Sequence, residues 1–228
     1  MRRPFPPPQL RGVLLDLDGT LVDTEPLHKA TADDVLAQIG VTLTAEDYRT
    51  LAGRGDVDFF RALDARHGFR MSVAEIITRR TALVVARAPT FGLRANPGVP
   101  ELLDLLDGRG LPRAVASGSV RVQIDALLGA AGLLARLPVR VSGHDDVPRQ
   151  KPAPDVYLAA AAALGLQAEA CLAVEDSRTG VASARAAGCF VVWVPSPSFP
   201  CAQPDGVDLP LASLHELVGL LHAHFPPA

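Results

Sequence analysis

The amino-acid sequence predicts an α/β protein: a doubly wound, parallel-sheet (Rossmann-like) core formed by residues 1–23 and 95–228, interrupted after its first strand by an all-helical cap domain, residues 24–94. Three observations carry that expectation. Val13, Leu14 and Leu15 form a short apolar run that leads two carboxylates, Asp16 and Asp18, into a turn at Gly19. From Thr24 to Arg94 the apolar spacing is helical and no strand is evident. From Pro97 onward helices and strands alternate, the pattern of βα units in a parallel sheet.

The first strand sets the chemistry. Side chains alternate along a strand, so two aspartates two residues apart point the same way and load one small volume with negative charge. Such a pair repels itself unless a cation or a shared proton relieves it. An Asp-Gly surface turn would account for Asp18 and Gly19, but not for the apolar run that feeds into Asp16. In open α/β sheets the carboxyl edge of the strands is where ligands bind.

The helical segment then reads as Pro26–Ile39, Thr44–Leu51, Val57–His67 and Ser72–Ala88. Pro26 suits a first helical turn with Thr24 as its cap, and Gly40, Gly53, Gly55 and Gly68 punctuate the ends. The core resumes with predicted helices at Val99–Leu106, Val120–Leu128, Asp155–Leu164, Val181–Ala187 and Leu211–His222. Strands are predicted at Pro112–Ser117, Val139–Ser142, Ala170–Asp176 and Phe190–Val194, and Pro195–Pro204 as one long loop.

Composition excludes several classes. Of 228 residues 48% are hydrophobic and 21% charged, ordinary for a globular protein, and the net charge of −3 offers no basic face for nucleic acid. No stretch reaches the ~18 uncharged apolar residues that span a bilayer. The opening MRRPFPPPQL has charge but no apolar centre, unlike a signal peptide. Cys171, Cys189 and Cys201 lack metal-ligand spacing, and the first two lie in apolar runs, which fits buried thiols in a reducing compartment. The expectation is a cytoplasmic protein that engages neither nucleic acid nor membrane, a monomer with a weak dimer as the alternative.

Other strand ends supply complementary groups. The strand ending at Ala116 runs into Ser117-Gly118-Ser119, hydroxyls on a tight turn before a helix N-terminus that favours an anion; read alone, Ser119 is simply a helix cap. Lys151 precedes two prolines in KPAPD, and among 22 basic residues only it and Lys29 are lysine. A lysine there, in an arginine-rich chain, indicates a site that wants a compact ammonium and not a planar fork. Glu175-Asp176-Ser177 follows a further strand and can face Asp16 across the crevice, although Asp176 or Ser177 could also cap the next helix. Oxygen ligands without His or Cys suit a hard divalent ion, Mg²⁺ above all.

Asp16-Leu17-Asp18-Gly19-Thr20, Ser117, Lys151 and Glu175-Asp176, in that order and at those strand ends, resemble the four motifs of the haloacid dehalogenase superfamily of phosphatases and phosphomutases. The helical insert resembles the α-helical cap of its β-phosphoglucomutase-like branch, and the resemblance covers the chain from Arg11 onward. It implies that Asp16 is the nucleophile, forming an aspartyl-phosphate, and Asp18 the general acid and base, with a pKa above the usual ~3.9. Thr20, Ser117 and Lys151 would hold the transferring phosphoryl oxygens, with Gly118 and Ser119 beside them. Asp16, the main-chain carbonyl of Asp18 and Asp176 would hold Mg²⁺, with Glu175 as a further candidate ligand. Asp18 and the Glu175-Asp176 pair argue for phosphoryl transfer over carbon–halogen cleavage.

Substrate choice would lie with the cap. Thr24, Glu25 and His28 stand where the chain leaves the core, and His28 meets the family pattern of a histidine twelve residues past the nucleophile. In the loop Gly53-Arg54-Gly55-Asp56, Arg54 can hold a distal hydroxyl or phosphate, or merely join two helices. β-Phosphoglucomutases follow a serine with such an arginine, whereas this chain continues with Gly55-Asp56. The expected activity is therefore hydrolysis of a small phosphorylated metabolite such as a sugar phosphate. The alternatives are a phosphoglucomutase-type mutase, a phosphoaspartate receiver domain, which would need neither a cap nor Asp18, and a non-catalytic binding protein.

Overall fold

Neighbouring residues of the first strand pack into different cores: in β1 (Gly12–Leu15), Val13 and Leu15 belong to one apolar cluster and Leu14 to another. Both faces of the sheet are therefore covered, which is why the run is apolar without interruption. The computed structural model describes residues 4–7, 9–51 and 55–224. Its further strands are β2 (Arg113–Ser117), β3 (Arg140–Ser142), β4 (Cys171–Glu175), β5 (Phe190–Trp193) and β6 (Leu209–Pro210), in the spatial order β3-β2-β1-β4-β5-β6 with every pairing parallel. The helices are α1 (Glu25–Ala37), α2 (Ala45–Leu51), α3 (Asp56–His67), α4 (Val73–Arg87), α5 (Val99–Gly108), α6 (Arg121–Ala130), α7 (Asp155–Ala163), α8 (Arg178–Ala186) and α9 (Leu214–His224). Leu102 of α5, Ile124 of α6 and Leu217 of α9 join the cluster of Val13, while Val156 of α7 and Val181 of α8 join that of Leu14.

Strand order reverses beside β1: the chain passes outward through β2 and β3, then crosses to β4 on the other flank. That reversal opens a crevice at the carboxyl edge. Leu15 pairs with Val115 and Val174, so Asp16 and Glu175, each one residue further on, come level there.

Helices α1–α4 lie between β1 and β2 in the chain and have an apolar cluster of their own around Leu36, Phe60, Leu63 and Ile76. Thr44 and Asp47 cap α2 reciprocally: the Asp47 amide donates to Thr44 Oγ1 at 3.0 Å and the Thr44 amide to Asp47 Oδ2 at 3.3 Å. Arg66 at the end of α3 donates to Asp47 Oδ1 at 2.7 Å, tying the two helices. The segment's entry and exit meet in an antiparallel bridge between Val22 and Ala95. Asn96 then donates to the carbonyls of Gly19 and Thr20, both at 2.9 Å, and so fixes the loop behind the acids.

Three local expectations are corrected. β1 stops at Leu15, so Asp16 and Asp18 project from the tight turn that follows, closed by the Leu21 and Val22 amides on the Leu17 carbonyl, and not from a strand. Thr24 makes no cap bond to α1, because its hydroxyl donates instead to Asp18. β6 was not predicted: two residues, one a proline, form an edge strand too short to show a period, and the last helix accordingly begins at Leu214.

Candidate active site

Asp16 and Lys151 meet at the crevice. Lys151 Nζ donates to Asp16 Oδ1 and to Glu175 Oε1, each at 2.6 Å, with all three side chains buried. Two of the three ammonium N–H groups are thereby committed. Burial works to lower the Lys151 pKa, but the two carboxylates outweigh it and hold the ammonium charged. For Asp16, burial and the neighbouring Glu175 charge raise the carboxyl well above its ordinary range, against the pull of Lys151. Asp176 is raised in the same direction by burial, Asp16 and Glu175. One ammonium does not balance three carboxylates, two of them buried and the third half-buried.

That imbalance is what a divalent cation would relieve. Oxygens of Asp16, Glu175 and Asp176 lie within 4.8 Å of one another, and Asp176 Oδ1 is buried with no partner among the described residues. Gly19 makes the approach possible. At φ +85° it turns the chain as few other residues could, and a Cβ there would stand 2.2 Å from Asp176 Oδ2. The Asp176 carbonyl is held from behind by Trp193 Nε1 at 2.8 Å. An all-oxygen set with an orphaned carboxylate oxygen fits a hard divalent ion.

Asp18 has different company. Its Oδ1 accepts from Thr24 Oγ1 at 2.8 Å and meets His28 Nε2 at 2.9 Å, while Oδ2 accepts from Ser119 Oγ at 3.0 Å and, more weakly, Ser117 Oγ at 3.4 Å. Burial pushes the Asp18 carboxyl up, but the hydrogen bonds from His28, Thr24 and Ser119 outweigh it and hold the group below the usual range. The raised pKa expected for a general acid is therefore corrected: several donors stabilise the carboxylate. On its far side His28 Nδ1 meets Arg80 Nη2 at 2.8 Å, and Arg80 Nη1 donates to Asp56 at 2.6 Å.

A cavity of about 980 Å³ connects these groups to the helical segment, with Asp16, Asp18, Gly118, Ser119, Lys151 and Asp176 on the sheet side and Glu25, His28, Asp56 and Arg80 on the helical side. Ser117 is fully buried behind this wall, its Oγ accepting the Ser119 amide at 3.1 Å. Thr20 is also buried and outside the wall, and its hydroxyl has no partner among the described residues. Ser177, not Asp176, caps α8, accepting the Gly180 amide at 3.0 Å. Arg54 lies outside the described residues.

Sequence reasoning missed Tyr157, Arg80 and Asn96. Tyr157 reads as one more apolar position of α7, yet its hydroxyl donates to Glu175 Oε1 at 2.7 Å. Arg80 reads as one of several surface arginines, although it is 6% exposed. A buried arginine must find acceptors, and a signal for it existed only in its place on the inner side of α4.

A Rossmann-like sheet that gathers carboxylates from two strand ends and opposes them with a single lysine beside a partly open cavity defines an α/β protein with a site suited to an anionic substrate. The chain belongs to the haloacid dehalogenase-like hydrolase family, whose profile matches residues 10–188. It is 37% identical over 199 residues to protein CbbY of Rhodobacter capsulatus, covering 82% of this chain and 86% of the relative. Identity to hexitol phosphatase B of Escherichia coli is 34% over 221 residues, covering 92% and 96%. Among solved structures, CbbY of Rhodobacter sphaeroides in complex with phosphate superposes with a TM-score of 0.83 at 28% identity, covering 91% of this chain and 96% of that one. A mutant of the same protein was solved with xylulose-1,5-bisphosphate and superposes with a TM-score of 0.82.

Proposed function

We propose that the protein is a Mg²⁺-dependent phosphatase that hydrolyses a small phosphomonoester, a sugar phosphate or similar metabolite, through an aspartyl-phosphate on Asp16. The contact that carries this reading is Asp16 with Lys151, a carboxylate aimed into the cavity beside the one ammonium able to meet a phosphoryl oxygen. Named relatives support it, one a hexitol phosphatase and another seen with phosphate and a sugar bisphosphate.

In the first half-reaction the anionic phosphoryl group entering beside Asp18 raises its affinity for a proton, so that it binds one from solvent; an oxygen of Asp16 then attacks phosphorus in line and the ester oxygen leaves, taking that proton from Asp18. In the second, Asp18 as carboxylate takes a proton from water, whose oxygen attacks the phosphoaspartate and releases inorganic phosphate. Thr24, His28 and Ser119 hold Asp18 in the form the second step needs. Lys151 and the free N–H groups around Gly118 and Ser119 receive the transferring phosphoryl group. Asp16, Asp176 and the main-chain carbonyl of Asp18 would hold Mg²⁺, which when bound offsets the repulsion between an anionic nucleophile and an anionic ester.

Residues 24–94 act as a cap in this reading: the segment has its own apolar cluster, roofs the cavity and joins the core through paired connectors. No helix among the described residues is long and apolar enough to cross a membrane; the burial of the Cys171 and Cys189 thiols supports a reducing, cytoplasmic site of action. Phosphate release from a panel of phosphomonoesters, with Mg²⁺ and with EDTA, tests the proposal. Turnover abolished by EDTA and restored by Mg²⁺ is expected; a panel with no release, or release indifferent to chelation, overturns it.

A further inference from the structure

Glu175 is the most heavily bonded carboxylate of the site. Its Oε1 accepts from Lys151 Nζ at 2.6 Å and Tyr157 Oη at 2.7 Å. Its Oε2 accepts the amides of Asp176 and Ser177, both at 3.2 Å, and Ser177 Oγ at 3.0 Å. Five donors meet a group with about four lone-pair positions, so neither oxygen has one to spare. The side chain is fully buried, and α8 is shaped around it: a Cβ on Gly180 would fall 1.8 Å from Glu175 Oε1. Asp176, next in the chain, has an oxygen with no partner among the described residues.

We infer that Glu175 and Tyr157 form a positioning pair that fixes Lys151, and that the divalent cation is left to Asp16 and Asp176. This inference rests on the phosphatase reading. Lys151 ends a flexible four-carbon stem, and of its two carboxylate anchors Asp16 loses its charge when it becomes a phosphoryl ester. Glu175 keeps its charge throughout, so it holds the ammonium in place while the nucleophile is consumed. Tyr157 stands in the first turn of α7, six residues after Lys151, with the ammonium 5.0 Å from its ring centre and its hydroxyl on the oxygen Lys151 uses. The tyrosine turns the carboxylate toward the lysine and away from the ion.

Two measurements test this on the full chain. Tyr157→Phe keeps the ring and removes only the hydroxyl; its kcat should fall about tenfold while its Mg²⁺ affinity, by calorimetry on substrate-free protein, stays within threefold of wild type. Wild-type kcat with only a lowered Tm makes the tyrosine merely structural and overturns the pair. Glu175→Gln should bind Mg²⁺ within about fivefold of wild type, whereas Asp176→Asn should weaken it more than fiftyfold. Comparable losses in both variants make Glu175 a ligand and overturn the inference. The calorimetry reads out even where no phosphomonoester is turned over, so a failed phosphatase reading is distinguished from a failed assignment of Glu175. Circular dichroism confirms folding, and if Glu175→Gln does not fold, Tyr157→Phe decides alone.

Discussion

Arg80 fixes the tautomer of His28. The guanidinium has donors only, so the 2.8 Å contact between Arg80 Nη2 and His28 Nδ1 requires that ring nitrogen to accept, and the imidazole carries its proton on Nε2, facing Asp18. Asp56 holds Arg80 in turn. Asp18 thus gains a donor whose orientation is set by groups on α3 and α4, far from the turn that presents the acid.

Replacing Arg80 with Met should release the ring, lowering kcat about tenfold as Asp18 loses its oriented donor. Nitrogen NMR of selectively labelled protein should show the Nε2–H tautomer in the wild type and a mixture in the variant. A wild-type spectrum with the proton on Nδ1 contradicts the geometry.

Asp16→Asn should reduce phosphate release more than about a thousandfold with the fold intact, since an amide is a poor nucleophile. Lys151→Arg keeps the charge but brings a planar fork into a space shaped by Asp16, Glu175 and the Tyr157 ring. Activity should drop tenfold or more; a variant as fast as wild type would show that the compact ammonium is not required.

Gly19→Ala places a methyl 2.2 Å from Asp176 Oδ2 on a residue at φ +85°. Left-handed backbone costs about 1–2 kcal/mol for a residue with a side chain, and Asp176 must also move. Thermal melts should report the lost stability, and the Mg²⁺ concentration for half-maximal activity should rise at least tenfold. An unchanged Mg²⁺ requirement would separate Asp176 from the ion.

Asp47 governs acid stability of the helical segment. Hydrogen bonds from Thr44 and Arg66 hold its carboxyl below the usual range, against burial, with His67 assisting at 3.2 Å. A folded pKa below the unfolded value of ~3.9 means the contribution is intact above about pH 4 and lost as pH falls through the folded value. Asp47→Asn should cost about 1–3 kcal/mol in urea unfolding at pH 7, with the difference from wild type shrinking below pH 4. A constant difference across that range contradicts the assignment.

Most of the sheet was legible because its strands carry short apolar runs, residues 13–15, 114–116, 171–174 and 190–193, whereas β6, two residues long, carries none. Asp16 and Asp176 could be grouped from sequence because parallel strands bring their carboxyl ends to one edge, and Lys151, nine residues past β3, through the scarcity of lysine and the motif it resembles. What surrounds those residues could not. Tyr157 sits at an apolar-looking position of an alanine-rich helix, and only the fold turns its hydroxyl to Glu175. Thr24 looked like a helix cap because local geometry allows it, but a half-buried carboxylate six residues earlier competes for the hydroxyl and wins. Asp18 was expected to be a raised acid; its four donors come from two distant stretches of the chain, one holding Thr24 and His28 and the other Ser117 and Ser119, and no local pattern announces their sum.

The Val22–Ala95 bridge lays the two connectors of the helical segment side by side, like the leaves of a single door hinge. Asp18 is gripped from both sides of that joint, by Thr24 and His28 toward the door and by Ser117 and Ser119 on the frame. In the phosphatase reading, swinging the helices outward would strip away the first two partners and spare the second two, so Asp18 would keep all four donors only with the helical segment drawn in over the sheet edge.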